Sequence, residues 1–170
     1  MGLSLSSSKR VAGKLNSSPE FITACTTIYQ QSISLAQQTF PGILLYQIPS
    51  ASNRLYETLT TLQIPLIQKW VTAPPTRSQI DKSLQKVTKI DDADAIVVLD
   101  EAAFKEFAIE LYADLIVANA EKEVLVKVPV GVVGIVGVGV FGRFGVEVVG
   151  TVAGVYAVGV ATSVYLSLGG

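Results

Sequence analysis

The chain has 170 residues, a formal net charge of −1, 16% charged residues and a mean hydropathy of +0.47. An ordinary soluble domain carries about a quarter charged residues, so these numbers exclude wholesale disorder and direct attention to membrane segments. The absence of histidine and a single cysteine, Cys25, exclude a disulfide framework, the usual zinc sites and histidine general-base catalysis.

The commonest tools of an enzyme are missing, and the chain reads as non-enzymatic. Its near-neutral balance also lacks the basic stripe of a nucleic-acid binder. Charge is distributed unevenly. No charged residue lies between Glu20 and Arg54, residues 54–127 carry nine Lys/Arg and twelve Asp/Glu, and residues 128–170 carry only Arg143 and Glu147. This partition predicts a flexible Ser-rich leader over 1–17 and a neutral polar helical segment over 18–75. A helix–loop–helix body over 76–127 and a Gly/Val-rich transmembrane region over 128–170 follow.

The opening MGLSLS fits the Met-Gly-x-x-x-Ser pattern of myristoylation, which makes Gly2 a lipidation candidate beside the plainer reading of a disordered leader. One acyl chain binds membranes only marginally, with Lys9, Arg10 and Lys14 as a weak basic supplement. No apolar run follows those cations, so no secretory signal is expected. Ser18, Pro19 and Glu20 then announce a helix, with a capping hydroxyl, a proline suited to the first turn and an acid at the positive dipole end. Its inner face is expected to be Phe21, Cys25, Ile28, Leu35 and Ala36, interrupted by Ser32. Thr23, Thr26, Thr27, Gln30, Gln31, Ser34, Gln37 and Gln38 stand opposite. Surface helices normally place Lys and Glu there. Packing between subunits, a water-filled path and a merely neutral surface all fit such a face. Cys25, on the apolar side, reads as a small core residue.

Pro41-Gly42 stops that helix, and GILLYQIP reads as an extended or interfacial connector. A second helix is expected from about Ser52 with Leu55, Leu59 and Leu62 in register. Beyond Pro65, Trp70 beside Lys69 fits either a membrane interface or a buried core. Thr76 is expected to cap a third helix with Ile80, Leu84 and Val87 inside.

Residues 78–118 then have an EF-hand-like layout. The outgoing helix is strongly periodic, with Phe104, Phe107, Ala108, Leu111 and Leu115 on one face and Lys105, Glu106, Glu110 and Asp114 opposite. With Leu99 as the central apolar residue, Asp92–Ala103 makes a twelve-residue loop. A calcium loop needs oxygen ligands at positions 1, 3, 5, 9 and 12 and glycine at position 6. Those positions hold Asp92, Asp94, Ile96, Asp100 and Ala103, with Val97 where glycine belongs. Asp92, Asp94 and Asp100 are therefore the only metal candidates, and the bidentate glutamate is missing. A degenerate scaffold without tightly bound calcium is expected.

The tail reads VPVGVVGIVGVGVFG over 128–142 and then, after Arg143, FGVE. An uncharged run of 21 residues from Val148 to Leu168 follows, long enough to cross about 30 Å of hydrocarbon as a helix. Gly150, Gly154, Ala157 and Ala161 line one face at helical spacing, which marks them as oligomer-packing candidates. An elastin-like or cross-β segment and a buried helical hairpin are the competing readings. Arg143 and Glu147, four apart at the break, fit an intrahelical ion pair. Repeated around a symmetry axis, either would set the charge selectivity of a pore.

The blocks MGLSLS, SPEF, PPTRSQID, LDEAAFKEFAIELYADLIVANA, PVGVVGIVGVGVFGRFG and VYLSL resemble, in this order, a WeiTsing-like family of small plant membrane proteins. The resemblance covers nearly the whole chain, although no single block is diagnostic. It implies a homopentameric, cation-selective, calcium-permeable channel of the endoplasmic reticulum membrane that triggers defence against a root pathogen. Calcium would be the permeating ion rather than a bound cofactor. The partners implied are further copies of the chain, the lipid bilayer and permeating cations.

The expectation is thus an all-α membrane protein, a homo-oligomer around a central pore, with a soluble EF-hand-like body. A membrane-anchored interaction module that docks a partner through that body is the alternative from a different class. A self-assembling helical or amyloid-like defence protein that permeabilises membranes only on activation is a third.

Overall fold

The computed structural model describes residues 2–35, 41–88, 98–141, 158–159, 162–164 and 166–168, with side chains from 7 onward in the first range and up to 126 in the third. The chain divides into two compact units, Met1–Ile116 and Val117–Gly170. The architecture is all-α. It comprises α1 (Gly2–Ser17), α2 (Pro19–Leu35), β1 (Ile43–Leu44), a 3-10 turn over Leu45–Gln47, α3 (Ile48–Thr61), α4 (Pro65–Trp70), α5 (Arg77–Thr88), β2 (Val98–Leu99) and α6 (Glu101–Phe141).

The Ser-rich segment expected as a flexible leader is helical. Ser7, Val11 and Leu15 recur every fourth residue and are buried, so one face of α1 has a core to join despite its polar composition. Ser18 caps α2 as expected, its Oγ accepting from the Phe21 amide at 3.3 Å. The buried face of α2 is Phe21, Ala24, Cys25, Ile28, Tyr29 and Ser32. Leu35, expected inside, is 69% exposed. Ser32 belongs to the interior because its hydroxyl donates to the Ile28 carbonyl at 2.8 Å and accepts from Arg54 Nη2 at 2.9 Å. A buried hydroxyl costs little once it is paired on both sides.

Helix α3 begins at Ile48, four residues before its expected start, because Pro49 falls in the first turn where its missing N–H is not needed. Leu55 and Leu59 are buried as expected, whereas Leu62 is exposed at the helix end. There Gln63 takes a left-handed φ of 54°, the conformation that terminates many helices. In α4, Ile67 and Trp70 point into the core, so Trp70 is an interior residue of the first unit rather than an interfacial one. Thr76 and Gln79 cap α5 reciprocally: the Thr76 amide donates to Gln79 Oε1 at 2.8 Å and the Gln79 amide to Thr76 Oγ1 at 3.4 Å. Ile80 and Leu84 are buried, and Val87 is half-buried.

Phe104, Phe107, Ala108, Leu111 and Leu115 of α6 are all buried, joined by Tyr112, Ala113 and Ile116. Aromatic rings tie α6 to α2: Phe21 meets Tyr112 edge-on at 5.7 Å, and Tyr29 lies 6.1 Å from Phe104. The backbone of α6 stays helical through Pro129 to Phe141, so its last 14 residues are charge-free Val/Gly sequence. Those 14 residues rise about 21 Å, short of the ~30 Å of a bilayer core. Among the described residues no helix is long and apolar enough to cross a membrane. The 21-residue run expected to span lies mostly outside the described residues.

Candidate functional site: a paired helix–loop–helix centre

The first unit contains two helix–loop–helix halves rather than one. Helices α2 and α3 form the first, and α5 and α6 the second. The halves are stitched by an antiparallel ladder in which Ile43 faces Leu99 and Leu44 faces Val98. Leu99 thus sits where the loop arithmetic puts the central apolar residue, with Ile43 as its counterpart. Sequence reasoning missed the first half because Ala36–Gln47, its loop when aligned on Ile43, contains no acidic residue. The available signal was Gly42-Ile43-Leu44, which aligns on this register with Val98-Leu99-Asp100.

The two outgoing helices start differently. In the first half the Leu44 amide donates to Gln47 Oε1 at 3.1 Å, which closes the 3-10 turn ahead of α3, while Gln47 makes no side-chain capping bond to α3 itself. Asp100 accepts from the Ala103 amide at 2.7 Å through Oδ1, while its carbonyl accepts from the Phe104 amide at 2.9 Å. Asp100, the ninth loop residue, is therefore the N-cap of α6, using one carboxylate oxygen for a backbone donor. Asp92 and Asp94 lie outside the described residues, and among the described residues no acidic or thiol cluster could hold a metal ion. Replacing Asp100 by alanine is expected to cost about 1 kcal/mol of body stability in calcium-free buffer. Thermal melts of both proteins with chelator should show that loss, and calorimetry should show no micromolar calcium binding to either. An unchanged melt would refute the capping role.

Two ionic groups brace the second half. Lys86 Nζ on α5 meets Asp114 at 2.7 Å and Glu110 at 3.3 Å on α6, and Lys82 reaches Asp114 at 3.9 Å. Burial alone would lower the Lys86 pKa, but the hydrogen bonds and charges of Asp114 and Glu110 outweigh it and raise it above the ordinary lysine value. Partly exposed pairs of this kind each contribute about 0.2–1 kcal/mol.

At the start of α6, Glu101 Oε1 accepts from Lys105 Nζ at 2.7 Å and from Thr26 Oγ1 of α2 at 3.0 Å. These bonds, Lys105 first, hold the Glu101 carboxyl below its usual pKa. A depressed carboxylate pKa stabilises the fold above the unfolded value, and that contribution disappears as pH falls through the folded one. The difference in thermal midpoint between wild type and Glu101→Gln should therefore be present at pH 7 and shrink as pH falls below the ordinary glutamate range. Cys25 is wholly buried, and desolvation pushes its thiol up to about 12, with Lys105 opposing. It is an unreactive core residue.

An open groove of about 490 Å³ runs between α1 and α6, bounded by Ala12, Gly13, Asn16, Ala102 and Glu106. The other charged side chains beside it, Lys105 and Glu110, are already paired with Glu101 and Lys86. The remaining sequence candidates are not brought together with this centre. Arg143, Glu147, Gly150, Gly154, Ala157 and Ala161 lie outside the described residues, and Gly2 is the first residue of α1. Comparison with known proteins finds no matching family model, no matching curated relative and no matching solved structure.

Proposed function

We propose that the chain is the subunit of a homo-oligomeric, pentameric cation channel of an internal plant membrane. It is calcium-permeable and acts in defence signalling at the endoplasmic reticulum. The observation that carries the reading is α6. Its helical backbone leaves the helix–loop–helix body and continues into charge-free Val/Gly sequence as far as Phe141. Glycine costs a helix about 1 kcal/mol per residue in water, so a helix this rich in glycine favours close contact with other helices in lipid. The resemblance to WeiTsing-like plant proteins supplies the stoichiometry, the membrane and the permeating ion.

Conduction would be passive. The twelve acids against nine bases over residues 54–127 bias the vestibule toward cations. Glu147, repeated around the axis, would form the selective ring, with Arg143 neutralising it in part. Purified full-length protein in planar bilayers is expected to pass cations, and Glu147→Gln to reduce cation-over-anion preference several-fold. Silent bilayers from folded, oligomeric protein would end the channel reading.

The packed helix–loop–helix pair favours a second reading, in which the body docks a partner and the tail is only an anchor. The size of the detergent-solubilised protein separates the two: a closed ring supports the channel and a monomer supports the anchor.

A further inference from the structure

Among the described residues, large exposed apolar side chains are distributed differently in the two units. In the first, Leu35, Tyr46 and Leu62 are spaced along the chain, at the end of α2, in the 3-10 turn and at the end of α3. Single exposed apolar residues of this kind are ordinary. In the second, Leu125 and Val126 are neighbours, 70% and 65% exposed. They share a stripe of α6 with Glu121 and Lys122, which lie four residues earlier and are exposed too. Val117 and Ala120 are buried. One helical turn, about 5.4 Å, therefore takes the open stripe from two charged side chains to two apolar ones.

The chain does not turn polar again beyond that point. An apolar patch meant for another protein is bounded by a polar rim. Here the charged edge stands on one side only. Past Lys127 the sequence carries no charge from Val128 to Gly142, and the backbone stays helical to Phe141. A helix bonds its own backbone polar groups, which is what hydrocarbon demands of a chain that enters it. A lysine in the boundary turn, as at Lys127, is tolerated because a lysine stem can lie along apolar surface while its ammonium reaches the headgroups. Water on one side and no polar rim on the other fit a bilayer better than the bounded face of a protein partner.

We infer that the water–lipid boundary crosses α6 between Lys122 and Leu125, so that Leu125 and Val126 touch lipid acyl chains. This rests on the membrane reading above and deepens it, moving lipid contact ahead of residue 128. It sets a point of entry and makes no span of the described helix.

The test uses full-length protein in phosphatidylcholine vesicles, with an NBD fluorophore on one introduced cysteine. The variants are Glu121→Cys, Lys122→Cys, Leu125→Cys and Val126→Cys. Wild type gives little background, because Cys25 is fully buried. Lipids with a nitroxide on the acyl chain are expected to quench the labels at 125 and 126 several-fold more than those at 121 and 122. Aqueous iodide should give the reverse order. Trp70 fluorescence and circular dichroism should show every variant folded like wild type. Iodide quenching at 126 as strong as at 121 overturns the boundary alone, as does equal lipid quenching at all four positions. Protection at 126 from both quenchers also overturns it, because protein then covers the site. Protein that does not float with the vesicles overturns the membrane reading and the boundary together. The expected quenching without conductance supports the boundary and overturns only the channel.

Discussion

Phe104→Ala is expected to lower the stability of the first unit by about 3–5 kcal/mol, the usual cost of emptying a buried phenylalanine site. Phe104 is fully buried, with Tyr29 of α2 and Phe107 of its own helix each 6.1 Å away between ring centres. It is also four residues past the Asp100 cap, so its ring fixes the start of α6 against α2. Small domains have about 5–15 kcal/mol in total, and this loss should bring the thermal midpoint down by roughly 15 °C. Trp70 is the sole tryptophan and is buried, so its fluorescence reports the transition directly. A shift below about 5 °C would show that α2 and α6 are not joined through this ring.

Gly42→Ala is expected to be nearly as damaging, at about 3 kcal/mol, through collision rather than a cavity. A Cβ at this position would overlap the Leu99 carbonyl oxygen and lie 2.7 Å from Val98 Cγ1. The oxygen belongs to backbone held in the β1–β2 ladder, so it cannot swing aside as a flexible side chain would. One methyl group therefore forces the two halves apart. Gly13 is the control. A Cβ there meets nothing within 4 Å, and Gly13→Ala in mid-helix should stabilise by about 0.5–1 kcal/mol. Urea melts of the two alanine variants should move in opposite directions, and parallel shifts would rule out the ladder collision.

What the sequence discloses here depends on which force sets each feature. Apolar periodicity and caps are local, so the inner face of α6, the Thr76 cap and the all-α class could be read directly. The leader failed that test. A serine run has little propensity of its own, and only the burial of Ser7, Val11 and Leu15 makes α1 worth forming. Leu35 failed in the other direction, since a period of 3.6 places it near an inner face that the core does not reach. The first helix–loop–helix half was hidden because residues 36–47, which align with the twelve-residue stretch 92–103, lack the acids that advertise the motif, while the ladder pairs residues 54 and 56 positions apart. Asp100 was legible as an oxygen donor, but its recipient was not. Only geometry shows the carboxylate turned to the Ala103 amide.

That small hydrogen bond bears on how such a protein could be regulated. In a calcium sensor, the ion draws the outgoing helix into place, so the angle between helices reports concentration. Here Asp100 holds the start of α6 by its own side chain, and Ala103 offers no oxygen where a sensor supplies its glutamate. If the proposed assembly conducts calcium, a helix start fixed by Asp100 in this way does not wait on the ion. Released calcium would then not feed back through that cap. A signal that starts could then persist until something other than the ion shuts it, which suits an alarm better than an oscillator.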